Sequence, residues 1–198
     1  MRSTKGKRRE EILEAATKLF SEHGYQDTDI QAIADAIDVG KGTIYLYFPS
    51  KEALFFATVN RAMTLVEAFV RKRVISAKDT VSLLKEIVRA YVEFFRKHPH
   101  FVELFVQERA VFRFRNECSY MQKKEEREAK WAALFEKLLT QGKLRFKNIP
   151  RIISTIHQLF YGVIFTNIFQ TDEASFETRM NEGIDMMLFG ILLPEEVV

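Results

Sequence analysis

Apolar residues recur along this chain at intervals of three and four, the period of a helix with one buried face. Ile12, Ala15, Ala16, Leu19 and Phe20 step in this way behind the charged Arg8 to Glu11 segment, and His23-Gly24 supplies a stop. The pattern predicts a first helix of roughly four turns. Thr28 opens a second, since Thr28-x-x-Gln31 reads as a capping box, and Ile30, Ile33, Ala34 and Ile37 form its apolar face. After Asp38-Val39-Gly40 comes a short segment, Lys41 to Tyr47, closed by Phe48-Pro49. Ser50 then caps a longer helix from Lys51 to about Val74.

The remainder predicts more long helices. Val81, Leu84, Val88, Tyr91 and Phe95 make one stripe and Leu83, Ile87, Ala90 and Phe94 a second beside it, so that helix is apolar over a wide arc and is expected to be covered on more than one side. His98-Pro99 ends it and starts Phe101 to about Phe114. Another helix spans about Ser119 to Thr140, solvated at Lys123 to Lys130 and buried from Trp131 on, with Gly142 as its stop. Asn148-Ile149-Pro150 opens an uncharged helix, and Phe176, Met180, Ile184, Met187, Leu188 and Ile191 line the last. The prediction is an all-α chain of about nine helices: a small three-helix unit over 1–50, and a larger helical domain over 51–198 connected to it by the helix from Lys51 to about Val74.

Composition narrows the choice. With 8 Gly and 4 Pro in 198 residues, turns are too scarce for a many-stranded sandwich or barrel. Hydrophobic residues at 47% and charged residues at 29% exclude a wholly disordered chain. The uncharged run Ile152 to Thr171 is long enough to span a bilayer, but Ser154, Thr155, His157, Gln158, Thr166, Asn167, Gln170 and Thr171 are too polar for lipid. No membrane association is expected. One cysteine, Cys118, and no apolar leader after Met1 predict a cytoplasmic protein without disulfides. His98 and His100, two apart across a proline, cannot present two ligands from one helical face, so no metal and no cofactor is called for. No nucleophile, base and orienting group occur together, and no phosphate loop is present; the chain does not read as an enzyme.

Charge is distributed unevenly. Residues 1–9 contain Arg2, Lys5, Lys7, Arg8 and Arg9 and no acid, whereas residues 10–54 hold three lysines against nine acids, although the whole chain is only +3. The positive charge forms an arm. Beside it, three short helices with a tight break at Asp38-Val39-Gly40 are what a helix-turn-helix requires: two helices bury Ala16, Leu19, Phe20, Ile30, Ile33 and Ala34 and hold the third on the surface. On that third helix Lys41, Thr43 and Tyr45 can reach bases or phosphates, Gly40 and Gly42 allow close approach of the backbone, and Ile44 and Phe48 pack inward.

The run Ile33-Ala34-x-x-Ile37-x-Val39-x-x-Gly42-Thr43-Ile44-Tyr45-x-Tyr47-Phe48-x-Ser50-Lys51-Glu52-x-Leu54 resembles the TetR family of transcriptional regulators. The resemblance implies a three-helix DNA reader followed by six or so helices that bind a ligand and dimerise through the last two. It implies that Thr43 and Tyr45 contact bases, that Thr28, Tyr47 and Lys51 hold phosphates, and that the arm, with Arg8, reaches the adjacent groove of a double-stranded operator. Lys41 and Gly42 complete the expected DNA-binding set. One departure is Gly40, where the family usually has Ser; the lost hydroxyl removes a cap.

Of 18 Phe residues, thirteen lie at or beyond Phe94. Core filling is the plain reading of any one of them. In the family resembled, these helices surround a cavity, which implies a mostly apolar small effector, an acyl-CoA or another hydrophobic compound, among Tyr91, Phe95, Phe105, Phe135, Tyr161 and Phe165, with Arg109 or His157 at its polar end. For the dimer, Ile156, Phe160 and Ile164 on the first of the last two helices and Ile184 and Met187 on the second are the expected interface, with Gly162 and Gly183 permitting close approach. The function expected is that of a homodimeric, ligand-responsive repressor on a palindromic operator. The alternative is an apolar-ligand carrier whose reader no longer binds DNA.

Overall fold

The structure, a computed structural model, describes residues 4–76, 79–112, 124–167 and 173–191, and within those ranges all side chains but those at 4, 76, 124–127, 160, 161, 163–167, 173–177, 180 and 189. Among the described residues there are nine α-helices and no strand: α1 Thr4–Asp27, α2 Ile30–Asp35, α3 Lys41–Tyr47, α4 Lys51–Arg73, α5 Thr80–Lys97, α6 Pro99–Val111, α7 Lys124–Thr140, α8 Ile149–Asn167 and α9 Glu173–Ile191. A 3-10 turn, Val74–Ser76, follows α4. The all-α architecture is as the periodicity predicts. α1 loses helical geometry at Gly24, whose φ of 85° is open to a residue without Cβ, so the helix breaks at the expected stop.

Compact packing groups Met1–Leu65 with His98–Gln122, and Val66–Lys97 with Lys123–Val198. The division falls inside α4, because α6 packs against α1. In the first unit, Ile12, Leu13, Ala16 and Phe20 of α1, Ile30, Ile33 and Ala34 of α2, Ile44 of α3, Leu54, Phe55 and Val59 of α4, and Phe101, Val102 and Leu104 of α6 are all buried. A chain of rings runs through it: Phe20 to Phe55 at 5.2 Å, Phe55 to Phe56 at 5.8 Å, Phe56 to Phe112 at 4.8 Å and Phe112 to Tyr25 at 5.0 Å. The Gln107 side-chain amide donates to the Phe20 carbonyl at 2.8 Å, and Arg61 pairs with Glu10 at 3.0 Å, so α6 and α4 are each tied to α1 by a polar contact as well as by packing.

In the second unit, Leu84 and Val88 of α5, Trp131, Phe135 and Leu138 of α7, Ile152, Ile153 and Ile156 of α8, and Ile184, Leu188 and Ile191 of α9 form one core. The wide apolar arc of α5 is buried at Leu84, Val88, Ala90, Val92, Phe94 and Phe95, in keeping with neighbours on several sides. α7 ends at Gly142, φ 70°, with the amides of Gly142 and Lys143 returning to Leu139 and Leu138. The Arg145 amide bonds the Ile191 carbonyl at 2.8 Å and ties the following loop to the end of α9. Glu93 accepts from Arg73 and from Lys97; burial pushes its carboxyl up, but the two cationic partners outweigh that and hold it below the usual range. Among the described residues α4 alone is long and apolar enough to cross a membrane by composition, a test that core helices also pass, and its Leu54, Phe55, Val59, Ala62, Met63 and Val66 are buried in the fold.

His100 opens α6 in a groove of about 700 Å³ that also holds Glu11, Glu14, Lys18 and Glu22 of α1, Arg61 of α4 and His98. Burial lowers its pKa, and the neighbouring His98 and Arg61 lower it further. The unfolded chain therefore takes up this proton first, so stability is complete above about pH 6.5 and falls as pH drops through that value towards the depressed one. Thermal melts at about pH 7.5 and 5.5 should show a larger drop for the wild type than for His100→Gln; equal drops would assign the pH dependence elsewhere.

Candidate nucleic-acid interface

The turn between α2 and α3 is set by Asp38. With φ 52° it is the one described non-glycine residue in the left-handed region, which Asp tolerates better than most side chains. That conformation returns the amides of Asp38 and Val39 to the carbonyls of Asp35 (3.2 Å) and Ala34 (3.0 Å), closing α2 in a Schellman arrangement. Gly40 has an ordinary extended conformation, φ −74° and ψ 148°, and as N-cap of α3 it offers no side-chain bond, the consequence expected of glycine in place of serine.

α2 is capped differently from the sequence expectation. Asp29 is the N-cap, its carboxylate accepting from the Gln31 amide at 2.7 Å, while the Gln31 side chain donates forward to Asp35. The capping box at Thr28 is thus corrected. Thr28 is 3% exposed, and its hydroxyl points at the carbonyls of Gly24 (2.7 Å) and Leu19 (3.1 Å), where it seals the broken end of α1. An aspartate at that position wins because its carboxylate is charged and meets the amides at the positive end of the helix. Asp29 also accepts from Lys41 at 3.2 Å, and the Gln31 amide, followed by Lys41, holds its carboxyl below the usual carboxylate range.

α3 presents a short face. Ile44 and Phe48, one turn apart, are buried at 1% and 4%; Gly42, Tyr45 and Leu46 are exposed, and Lys41, Thr43 and Tyr47 are partly so. Lys51, at the start of α4, donates to the Gln26 carbonyl at 2.9 Å and lies over the Tyr25 ring at 4.9 Å. Ser50 caps that helix by accepting from the Ala53 amide at 3.0 Å, as expected. In the arm, Arg8 pairs with Glu11 at 2.8 Å. Arg9 lies over the Phe48 ring at 5.1 Å, a contact that no sequence pattern signals, because it joins the start of α1 to the end of α3. Lys41, Gly42, Thr43, Tyr45, Tyr47, Lys51 and Arg8 are therefore all in the first unit with accessible surface, and Thr28 is in it without any to spare.

The expected effector residues are divided between the two units. Tyr91 lines a cavity of about 190 Å³ in the second unit with Val70, Ile87, Trp131 and Leu134, and Glu67, Arg71 and Lys130 at its rim. Phe135 is fully buried in the core of that unit, Phe95 is 7% exposed, and the His157 ring meets Trp131 edge-on at 6.4 Å. Phe105 and Arg109 belong to α6 and thus to the other unit. The side chains of Tyr161 and Phe165, and the whole of Cys118, lie outside the described residues. In the sequence, Trp131 and Leu134 carry no signal beyond the buried end of their helix.

Ile156 and Ile184 are 1% and 3% exposed inside the chain's own core, and Met187 packs against it, so these residues have little surface left for a partner. The side chains of Phe160 and Ile164 lie outside the described residues. The outward stripe of α8 is instead Ser154, Thr155, Gln158, Leu159 and Gly162, and that of α9 includes Gly183, Met186 and Gly190. Both helices are apolar on more than one side in sequence, and the choice of the outward one follows from what α5 and α7 cover.

A family model for bacterial regulatory proteins, tetR family, matches residues 12–58. The HTH-type transcriptional regulator YuxN of Bacillus subtilis (strain 168) is 49% identical over 49 residues, 25% of this chain and 17% of that protein. HTH-type transcriptional regulator HbdR of Aromatoleum sp. (strain CIB) is 38% identical over 84 residues, 42% of this chain and 37% of its own. The matched stretch thus spans less than half the length of these curated relatives. Over the whole fold the chain is similar to the fatty acid degradation regulator FadR from Bacillus halodurans, with a TM-score of 0.78, 18% identity, and 95% and 96% of the two chains covered. In its helix-turn-helix segment, residues 12–58, the chain thus carries the pattern of the tetR family of bacterial regulatory proteins.

Proposed function

We propose that the chain is a homodimeric transcriptional repressor that binds a palindromic operator and releases it when a mostly apolar small molecule is bound. Residues 1–50 act as the reader and 51–198 as the effector and dimer domain, with α4 connecting them; such a protein works where the chromosome is, in the cytoplasm. The observation that carries the reading is Gly42. It is exposed, a Cβ there would meet nothing within 4 Å, and its φ is not positive, so nothing inside the fold asks for a glycine. A glycine within a helix costs roughly 0.5–1 kcal/mol relative to alanine, and a reason for keeping one is a close approach from outside. Nucleic-acid backbone or a base edge is the partner that suits a short helix flanked by Lys41, Lys51 and a basic arm. Thr28, with its hydroxyl engaged internally, is left out of the proposed contacts, and Tyr45, Thr43, Tyr47, Arg8, Lys41 and Lys51 are kept.

The dimer is proposed through the outward stripes of α8 and α9. Gly162, Gly183 and Gly190 are exposed helical glycines with open space where a Cβ would be, and Leu159 (48%) and Met186 (73%) are large apolar side chains left in solvent. A second copy covers both kinds of residue at once, since small residues let helices approach and the apolar ones need burial. For the effector, the cleft beside Tyr91 is open to solvent and holds about 190 Å³. A single ring or short apolar chain fits that space better than an acyl-CoA does.

DNA binding is tested with two substitutions of opposite stability. Gly42→Ala should raise the thermal midpoint while weakening operator binding; Lys51→Ala should weaken all duplexes alike and lower the salt slope by about 1, the share of a single neutralised phosphate. Gly42→Ala with undiminished binding would remove the argument from close approach.

Assembly is read by sedimentation of Leu159→Glu with Met186→Glu. Both positions are exposed in the single chain, so the fold should survive, and an interfacial charge without a partner costs several kcal/mol, enough to give monomers. An unchanged dimer would move the interface.

For the effector, Val70→Phe fills the cavity. Operator affinity should stay within about two-fold while release by small apolar compounds is lost, since only the ligand-preferring state is affected. A panel of single-ring aromatics, free fatty acids and acyl-CoAs that leaves wild-type binding unaltered would end the ligand-switch part of the reading.

A further inference from the structure

We propose that Leu46 reads the C5-methyl group of a thymine in the major groove and so fixes one base pair in each half-site, an inference that rests on the DNA-binding reading above. Leu46 is 82% exposed, a large aliphatic side chain in open solvent on the very helix that carries Thr43 and Tyr45. Successive residues turn by about 100° around an α-helix. With Ile44 and Phe48 turned inward, that rotation puts Leu46 and, one turn earlier, Gly42 on the middle line of the outward face, and puts Tyr45 and Thr43 on its two flanks. The central projecting group of the reader is therefore an aliphatic one, with a bare stretch of backbone behind it.

Leucine neither donates nor accepts a hydrogen bond, so its partner must be apolar. In the major groove guanine presents two acceptors, adenine an acceptor and a donor, cytosine a donor, and thymine the one methyl group beside its carbonyl. A Leu46 side chain facing any of the other three bases would desolvate a polar edge without replacing its water. Facing thymine, it buries a methyl. The neighbouring exposed residues add to the same footprint: Lys41 and the arm supply the sequence-independent attraction, and Tyr45 and Thr43 supply hydrogen-bonding groups on either side.

The test uses the full-length protein and a chemical change of one methyl group. Duplexes that the wild type selects from a random pool are resynthesised with deoxyuridine in place of each thymine in turn, in both half-sites. At one position the wild type should lose about four-fold for each methyl removed and about fifteen-fold for the pair, the transfer value of one methylene converted to affinity. Leu46→Ala should bind the thymine duplex about that much less tightly and be indifferent to uridine there; its exposure predicts an unchanged melting temperature. Wild type and Leu46→Ala with the same uridine sensitivity at every thymine would overturn the assignment while leaving DNA binding intact. If the wild type selects no duplex, the DNA-binding reading itself falls, and this inference with it.

Discussion

The reader helix exists because two side chains are buried. α3 has seven residues, far below the roughly 12–15 at which a helix begins to hold in water unaided, and its N-terminus lacks a side-chain cap. Ile44 and Phe48 supply the missing stability by packing against helices that are bound to each other through Ile12, Phe20, Ile30 and Ile33. Once those two are fixed inward, every other side chain of α3 has its direction set by the helical period. The same constraint reaches the arm: Arg9 lies over Phe48, so the basic start of α1 is held beside the end of α3.

Glycines divide into two groups by the physical reason for them. Gly24 and Gly142 have φ of 85° and 70°, and the break of α1 and the end of α7 follow from that geometry alone. Gly42, Gly162 and Gly183 sit in helices at ordinary φ with nothing near a would-be Cβ. The first group is explained by the chain; the second is not, and the proposed partners on α3 and on α8 and α9 would supply its reason.

Legibility in the sequence follows the range of the interaction. The helices, their stops at Gly24 and Gly142, the Ser50 cap and the inward pair on α3 are all readable, since each depends on residues within a turn or two of one another. The capping of α2 misleads because Thr28 and Asp29 are adjacent and both suited to the role; the Asp29 carboxylate takes the Gln31 amide, and the open carbonyls of α1 at Leu19 and Gly24 take the threonine hydroxyl. Which face of α8 is outward, and that Phe135 is fully buried in the core of its unit, depend on helices far away in sequence. Leu46 stands in plain view within the motif, yet its significance comes from its exposure, which only the packing of Ile44 and Phe48 defines.

The cations of this face are held in place by contacts that differ in what DNA would have to break. Lys41 leans on Asp29 and Arg8 on Glu11, both exposed pairs of the weak, solvent-screened kind. A phosphate can replace either carboxylate at little cost, and the displaced Asp29 remains bound to the Gln31 amide, so α2 keeps its cap. Lys51 is different. Its ammonium group is positioned by a neutral carbonyl and the face of Tyr25, which orient it without cancelling its charge. Asp29 feels this charge without forming an ion pair with it, and the ordering that binding would otherwise require has already been done by folding. On the proposed reading, a duplex would meet one fixed charge at the start of α4 and two exchangeable ones beside α3, whose local ion pairs are weak enough to yield to phosphate.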